Sequence, residues 1–308
     1  MMDSEHIESI RQNNLGIMLV SLIEDYETRL RQAYAESGFG DVRRSHGYVL
    51  RNLEQQGSRV TDIARRAGIT KQTAGKIVQE LQRLGYVTVE GVSGDNRVRL
   101  VSFSPRGREL VNVSQALVAQ IHAAYAGQVG AATFDRFDAT LRIFIRQLAP
   151  DIPQLEGELW RSANPFFHFG RFMVEIASDF ESRLRERLAQ LGFPDIKHSY
   201  LAALFHLDLE GSRVTALAQR VAVSPQAASL TLGELARAGF IEQVEDPGDQ
   251  RARLILLTAR GLELMQAIAL AVEEINQEYA LLVGAEPVTR LRDCLLKILR
   301  RLRISVFV

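Results

Sequence analysis

Apolar residues recur at helical spacing near residues 7–35, where Ile17, Val20, Ile23 and Leu30 share one face of a helix that Gly38 closes. A second helix follows. Residues 60–67 then read as a short helix ending at Gly68, and Thr70 caps a longer helix that runs to Leu84, with Gly85 at its C-terminus. In this longer helix Ala74, Ile77, Val78 and Leu81 fall at i, i+3, i+4 and i+7 and face inward, which leaves Lys71, Gln72, Thr73, Gly75 and Lys76 on the outer face. Two helices joined by a three-residue turn predict a helix-turn-helix. The pattern next becomes β-rich at residues 86–89 and 98–103, on either side of the turn-forming Ser93-Gly94-Asp95-Asn96, which predicts a hairpin, or wing. Ser104 and Pro105 open a long helix to about Tyr125, and residues 134–148 form a last one. Helix-turn-helix plus hairpin is a winged helix.

The whole pattern occurs twice. Gly-Ser-Arg-Val-Thr at residues 57–61 returns at 211–215, an offset of 154, and 22 of the 54 positions from 57 to 110 are identical to their counterparts. The offset is half of the 308 residues, and each copy is long enough to hold its own core. The expected division is residues 1–148 as the first winged-helix repeat, 149–165 as a linker and 166–308 as the second repeat. The second copy keeps the same order, with Ser224 as helix cap, Pro225 at the first helical position, Gly239 as terminator and Asp246-Pro247-Gly248-Asp249 as the wing turn. The expected fold class is mainly α with a small β wing in each copy.

Composition excludes several classes. With 46% hydrophobic and 24% charged residues the chain reads as an ordinary globular protein, without an apolar run long enough to span a membrane or a leader pattern, so a cytoplasmic location is expected. One cysteine, Cys294, allows neither an internal disulfide nor a thiolate-rich zinc site. His6, His46, His122, His168, His198 and His206 lack ligand spacing, and no nucleophile, base and orienter converge. Neither an enzyme nor a cofactor is expected. The net charge is zero, yet its distribution is uneven. Residues 57–108 hold ten Lys/Arg against four Asp/Glu, a local +6, whereas residues 211–262 hold six against five, only +1.

The stretch Asp95-Asn96-Arg97-Val98-Arg99-Leu100-Val101-Ser102-Phe103-Ser104-Pro105-Arg106-Gly107 is echoed by Asp249-Gln250-Arg251-Ala252-Arg253-Leu254-Ile255-Leu256-Leu257-Thr258-Ala259-Arg260-Gly261. With it, each half resembles a MarR-type (multiple antibiotic resistance) regulator. The resemblance implies a transcription regulator, expected to be a repressor, whose N- and C-terminal helices interlock in a dimer. It also implies a recognition helix in the major groove and a wing in the minor groove of duplex DNA. Here two protomers are fused, so the expected unit is a monomeric pseudo-dimer in which the linker raises the partner's effective concentration to about millimolar or more.

The residues expected at DNA are Thr70, Lys71, Gln72, Thr73, Gly75, Lys76, Arg97 and Arg99 in the first copy, and Ser224, Gln226, Ser229, Leu230, Arg251 and Arg253 in the second. Lysines neutralise phosphates and release counterions, Gln can pair with adenine, and a wing arginine suits the minor groove. Asp95 is expected to orient the wing by an ion pair. In the second copy Lys71 is replaced by Pro225 and Lys76 by Leu230, so its reading helix carries no positive charge. That half should bind more weakly, or read a thymine-rich half-site through Leu230. A fused pair can evolve toward unlike half-sites one helical turn apart, about 34–36 Å.

A small aromatic or anionic effector is the other partner the resemblance implies, with Arg29, His46, Tyr48, His168, Arg183, His198 and Tyr200 as candidates beside Phe166 and Phe167. Packing roles compete for each of them, and Arg29 and Arg183 could instead pair with Asp25 and Asp179. Cys294, in the terminal helix, reads as a buried thiol rather than a redox sensor. The competing function is a winged-helix interaction module whose second repeat binds a protein or small molecule instead of DNA.

Overall fold

Local signals account for the order of elements in the computed structural model, which describes residues 13–54, 56–92, 95–148, 168–208, 210–221, 224–246 and 249–304. The first repeat runs α1 (Leu15–Glu36), a 3-10 turn (Arg44–His46), α2 (Gly47–Leu50), β1 (Ser58–Arg59), α3 (Val60–Arg66), α4 (Lys71–Arg83), β2 (Val87–Val92), β3 (Asp95–Phe103), α5 (Pro105–Val129) and α6 (Ala131–Leu148). The second runs α7 (Phe169–Gln190), α8 (His198–Phe205), β4 (Ser212–Arg213), α9 (Val214–Arg220), α10 (Pro225–Arg237), β5 (Ile241–Asp246), β6 (Asp249–Leu257), α11 (Ala259–Val283) and α12 (Ala285–Leu302). The linker 149–165, together with Phe166 and Phe167, lies outside the described residues.

Several bounds differ from the sequence expectation. The long helix α5 continues past Tyr125 to Val129, and α6 starts at Ala131, because the break falls at Gly130 with φ +93°. Positive φ costs a residue with a side chain far more than it costs glycine. The second helix of the first repeat shrinks to a 3-10 turn and four residues, whereas its counterpart α8 holds eight. Each sheet also has a third strand that the periodicity did not show. The order is β1-β3-β2, with Ser58 opposite Val101 and Val87 opposite Phe103, and β4-β6-β5, with Ser212 opposite Ile255 and Ile241 opposite Leu257.

The chain divides into two compact units that do not follow the repeat boundary. One comprises residues 24–127 and 155–171, the other residues 1–23, 128–154 and 172–308. In the first, α4 buries Ile77, Val78 and Leu81 in one cluster with Val49, Leu50, Ile63, Tyr86, Val101 and Leu110. Burying each such aliphatic side chain contributes about 1.5–3 kcal/mol. Tyr26 of α1 meets Phe169 edge-on, ring centroids 5.2 Å apart. In the second unit, α6 from the first repeat packs with α11 and α12 from the second. Phe144 stands edge-on to Tyr279 at 5.4 Å, and Lys297 Nζ donates to Thr133 Oγ1 at 2.7 Å. The C-terminal helices of the two repeats thus pack together in this unit, in keeping with the interlocking that the fold class expected. Cys294 is buried in α12, and desolvation pushes its thiol up, as a packing residue would show.

Candidate nucleic-acid interface

Thr70 holds extended backbone geometry, and its Oγ1 accepts the Thr73 N–H at 3.1 Å, satisfying one of the donors a helix N-terminus leaves free. The turn before it passes through Gly68 at φ +63°, which closes α3 and sets α4 at its angle. With Ala74, Ile77, Val78 and Leu81 buried, Lys71, Gln72, Thr73 and Lys76 stand exposed on the opposite face. Thr73 Oγ1 lies 2.8 Å from Thr70 Oγ1, so its hydroxyl is partly committed within the helix. Gly75 is half-buried, and the space a side chain would fill there is open. The far end of α4 is fixed through Glu80, which lies 3.0 Å from Arg43 Nη1 and 3.4 Å from His46 Nε2.

The second repeat builds the same scaffold with different chemistry. Ser224 Oγ accepts the Ala227 N–H at 3.2 Å, Pro225 occupies the first helical position, and Ala228, Leu232 and Leu235 are buried. Gln226, Ala227 and Ser229 are exposed, and Leu230 is 74% exposed. Leu230 therefore lacks the local packing contact that would explain a leucine on a helix surface. Lys197 Nζ pairs with Glu234 Oε2 at 2.8 Å, in the place of the pair between Arg43 and Glu80.

Arg99 on β3 and Arg253 on β6 are exposed. Arg97 and Arg251 lie on the same strands, and their side chains, with those of Asp95 and Asp249, fall outside the described residues; so does the ion pair expected of Asp95. At the strands' roots, Arg66 donates to Ser58 Oγ at 2.8 Å and pairs with Glu54, and Arg220 pairs with Asp208 at 2.7 Å. These arginines hold β1 and β4 to the helix-turn-helix. The root differs at one further point, where Arg213 Nε donates to Asp246 Oδ2 at 2.7 Å, whereas the position matching Asp246 in the first repeat is Val92.

The seven effector candidates are divided between the two units, Arg29, His46, Tyr48 and His168 in one and Arg183, His198 and Tyr200 in the other. In the unit of residues 24–127 and 155–171, Arg29 Nε donates to Asp25 Oδ2 at 2.7 Å and its guanidinium lies 4.9 Å from the Tyr125 ring centre, while Tyr125 donates to the same carboxylate at 2.6 Å. In the other unit Arg183 makes the same set with Asp179 and Tyr279, plus Glu278 at 2.7 Å. Those carboxylates raise the Arg183 pKa, and the ion pairs weighed from sequence are present. His46 is buried, its Nδ1 accepting the Arg43 N–H, and Tyr48 is 40% exposed. Tyr200 is buried beneath Lys197, and the His198 side chain lies outside the described residues.

His168 lands in a polar interior that the sequence did not reveal. Its ring centre lies 5.9 Å from that of Tyr26, and neither His168 Nδ1 nor Tyr26 Oη has a hydrogen-bond partner among the described residues. Burial, with the charges of Arg51 and Arg171, pushes the His168 pKa down to about 3 and leaves the ring neutral. Arg171 donates to Arg51 O at 2.8 Å. The signal that could have found this cluster is broken repeat symmetry: Tyr26, Arg51 and Arg171 correspond to Phe180, Phe205 and Ile17. Among the described residues no group of His, Cys, Asp or Glu could hold a metal ion, and no helix is long and apolar enough to cross a membrane.

Two segments, residues 41–97 and 194–252, match the model of the MarR family. Among solved structures the chain is similar to a MarR-family transcriptional regulator from Rhodococcus sp. RHA1, at 20% identity over 42% of this chain and 90% of that one, with a TM-score of 0.36. It is similar to wild-type MarR from E. coli in its apo form, at 24% identity over 42% and 96%, with a TM-score of 0.36. The S. aureus MepR-DNA complex matches at 22% identity over 36% and 90%, with a TM-score of 0.29. No curated protein matches the chain.

Proposed function

Because the chain carries two MarR-type winged-helix repeats in tandem, we propose that it is a transcription regulator that represses by occupying duplex DNA, one chain supplying both reading helices. The observation that carries this reading is the outer face of α4, where Lys71 and Lys76 stand exposed on a helix whose opposite face is buried. Such a face neutralises phosphates, while Gln72 offers a paired hydrogen bond to a base edge. The α10 face, uncharged and bearing Leu230, supports a second half-site of different sequence, read through apolar contact with a thymine methyl. The effector in this reading is a small aromatic carboxylate seated near His168 and Tyr26, whose buried polar atoms have no hydrogen-bond partner among the described residues and whose surroundings include Arg51 and Arg171.

Native mass spectrometry of the full chain with a duplex of about three helical turns tests the fused reader. One chain per duplex is expected, and an added aromatic carboxylate should release it. Two chains per duplex would contradict the fused pair, and no release by any aromatic acid, with the stoichiometry confirmed, would remove the effector alone.

A further inference from the structure

Arg59 and Arg213 occupy equivalent positions and differ only in what surrounds them. Both cap the first helix of the helix-turn-helix, with φ, ψ of −72°, 145° and −74°, 144°. Both sit on a two-residue strand at matching register, Arg59 opposite Leu100 and Arg213 opposite Leu254. Both are exposed as whole residues. The Arg213 guanidinium, however, reaches Asp246 Oδ2 through Nε at 2.7 Å and Nη2 at 2.5 Å. Asp246 is only 9% exposed and is the last residue of β5, where the register shifts immediately before the wing turn. In the first repeat the same place holds Val92, which offers no carboxylate.

We propose that Asp246 restrains DNA affinity, by holding the Arg213 cation at the root of the second wing and withdrawing it from phosphates that Arg59 contacts in the first repeat. The inference rests on the DNA-binding reading above. A guanidinium bonded to the residue that opens a wing turn stands beside the wing, where a groove's flanking phosphates would pass. A buried carboxylate partner competes directly with those phosphates, because a charge-assisted pair is lost before the phosphate pair is gained. Asp246 thereby adds to the asymmetry already set by Pro225 and Leu230, and a single residue tunes the weaker half.

The test is fluorescence anisotropy of the full chain on a labelled random-sequence duplex, titrated across a salt series. Asp246→Asn is expected to tighten binding severalfold and to steepen the plot of log affinity against log salt by about 0.9, one counterion's worth. Arg59→Ala should flatten that plot by about 0.9, and Arg213→Ala should leave it unchanged. Adding Arg213→Ala to Asp246→Asn should cancel the gain. A gain that survives in the double variant would show mere removal of a negative charge and overturn the proposal. So would an unchanged slope in Asp246→Asn, or an Arg213→Ala effect equal to that of Arg59→Ala. Because Arg213→Ala leaves the buried carboxylate in place, it remains informative if Asp246→Asn folds poorly. A wild-type chain that binds no duplex would overturn both this proposal and the DNA-binding reading, whereas binding that depends on Lys76 with a flat Asp246→Asn response would overturn the restraint alone.

Discussion

Gly107→Ala and Gly261→Ala are each expected to destabilise the protein by about 3 kcal/mol or more, measured as the shift in urea midpoint multiplied by the transition slope. A Cβ at Gly107 would stand 2.0 Å from Tyr86 O, and one at Gly261 the same distance from Phe240 O. Neither oxygen can move aside. Tyr86 O accepts the Ser104 N–H at 3.0 Å, and Phe240 O accepts the Thr258 N–H at 3.1 Å, so each carbonyl pins the start of a long helix to the end of a reading helix. Ser104 and Thr258 also accept the N–H of these same glycines at 3.0 Å. The clash is backbone against backbone, and a rotamer change offers no relief. Gly75→Ala and Gly233→Ala serve as the contrast. Both lie inside reading helices with open space where the methyl would go, so each should stabilise by about 0.5–1 kcal/mol. Equal losses at all four positions would mean that helix α5 is not seated on Tyr86 as described.

Removing both lysines of the first reading helix, Lys71→Ala with Lys76→Ala, is expected to weaken duplex binding about 100-fold, at about 1.4 kcal/mol for each lost contact. The salt dependence should flatten by about 1.8, two phosphates' worth. Both side chains are exposed on the face opposite the buried Ala74, Ile77, Val78 and Leu81, so the double substitution should leave thermal stability unchanged within a degree or two. Gln226→Ala with Ser229→Ala in the second repeat removes no charge. It should weaken binding less and leave the salt slope where it was. Identical slope changes for the two pairs would contradict the division into a basic and a neutral reader.

The parts of the fold that were legible in the sequence are those fixed by neighbours along the chain. Thr70, Gly68 and Gly85 mark the reading helix because capping and positive φ act within one turn, and the i, i+3, i+4, i+7 set of Ala74, Ile77, Val78 and Leu81 defines its buried face. Ser58–Arg59 and Ser212–Arg213 did not read as strands. Two residues are too few for a period, and their pairing to Val101 and Ile255 is long-range. Arg29 and Asp25 lie four residues apart and their pairing could be weighed, but Tyr125, which shares the carboxylate, lies 100 residues away. The clamp between Arg213 and Asp246 spans 33 residues and is invisible to periodicity. It was nonetheless recoverable by comparing the copies, since Val92 stands where Asp246 does. Tyr26 and Arg171 were missed in the same way, as polar replacements of Phe180 and Ile17.

The most direct measurement is selection of bound sequences from a random duplex pool by the wild-type chain, repeated with Lys76→Ala and with Leu230→Ala. Enrichment of one site with two dissimilar half-sites a helical turn apart is the predicted result, the basic reader's half-site losing information with Lys76→Ala and a thymine-bearing half-site losing it with Leu230→Ala. A palindromic site, or one in which both substitutions degrade the same half, would contradict the account of one chain reading DNA through two unlike halves.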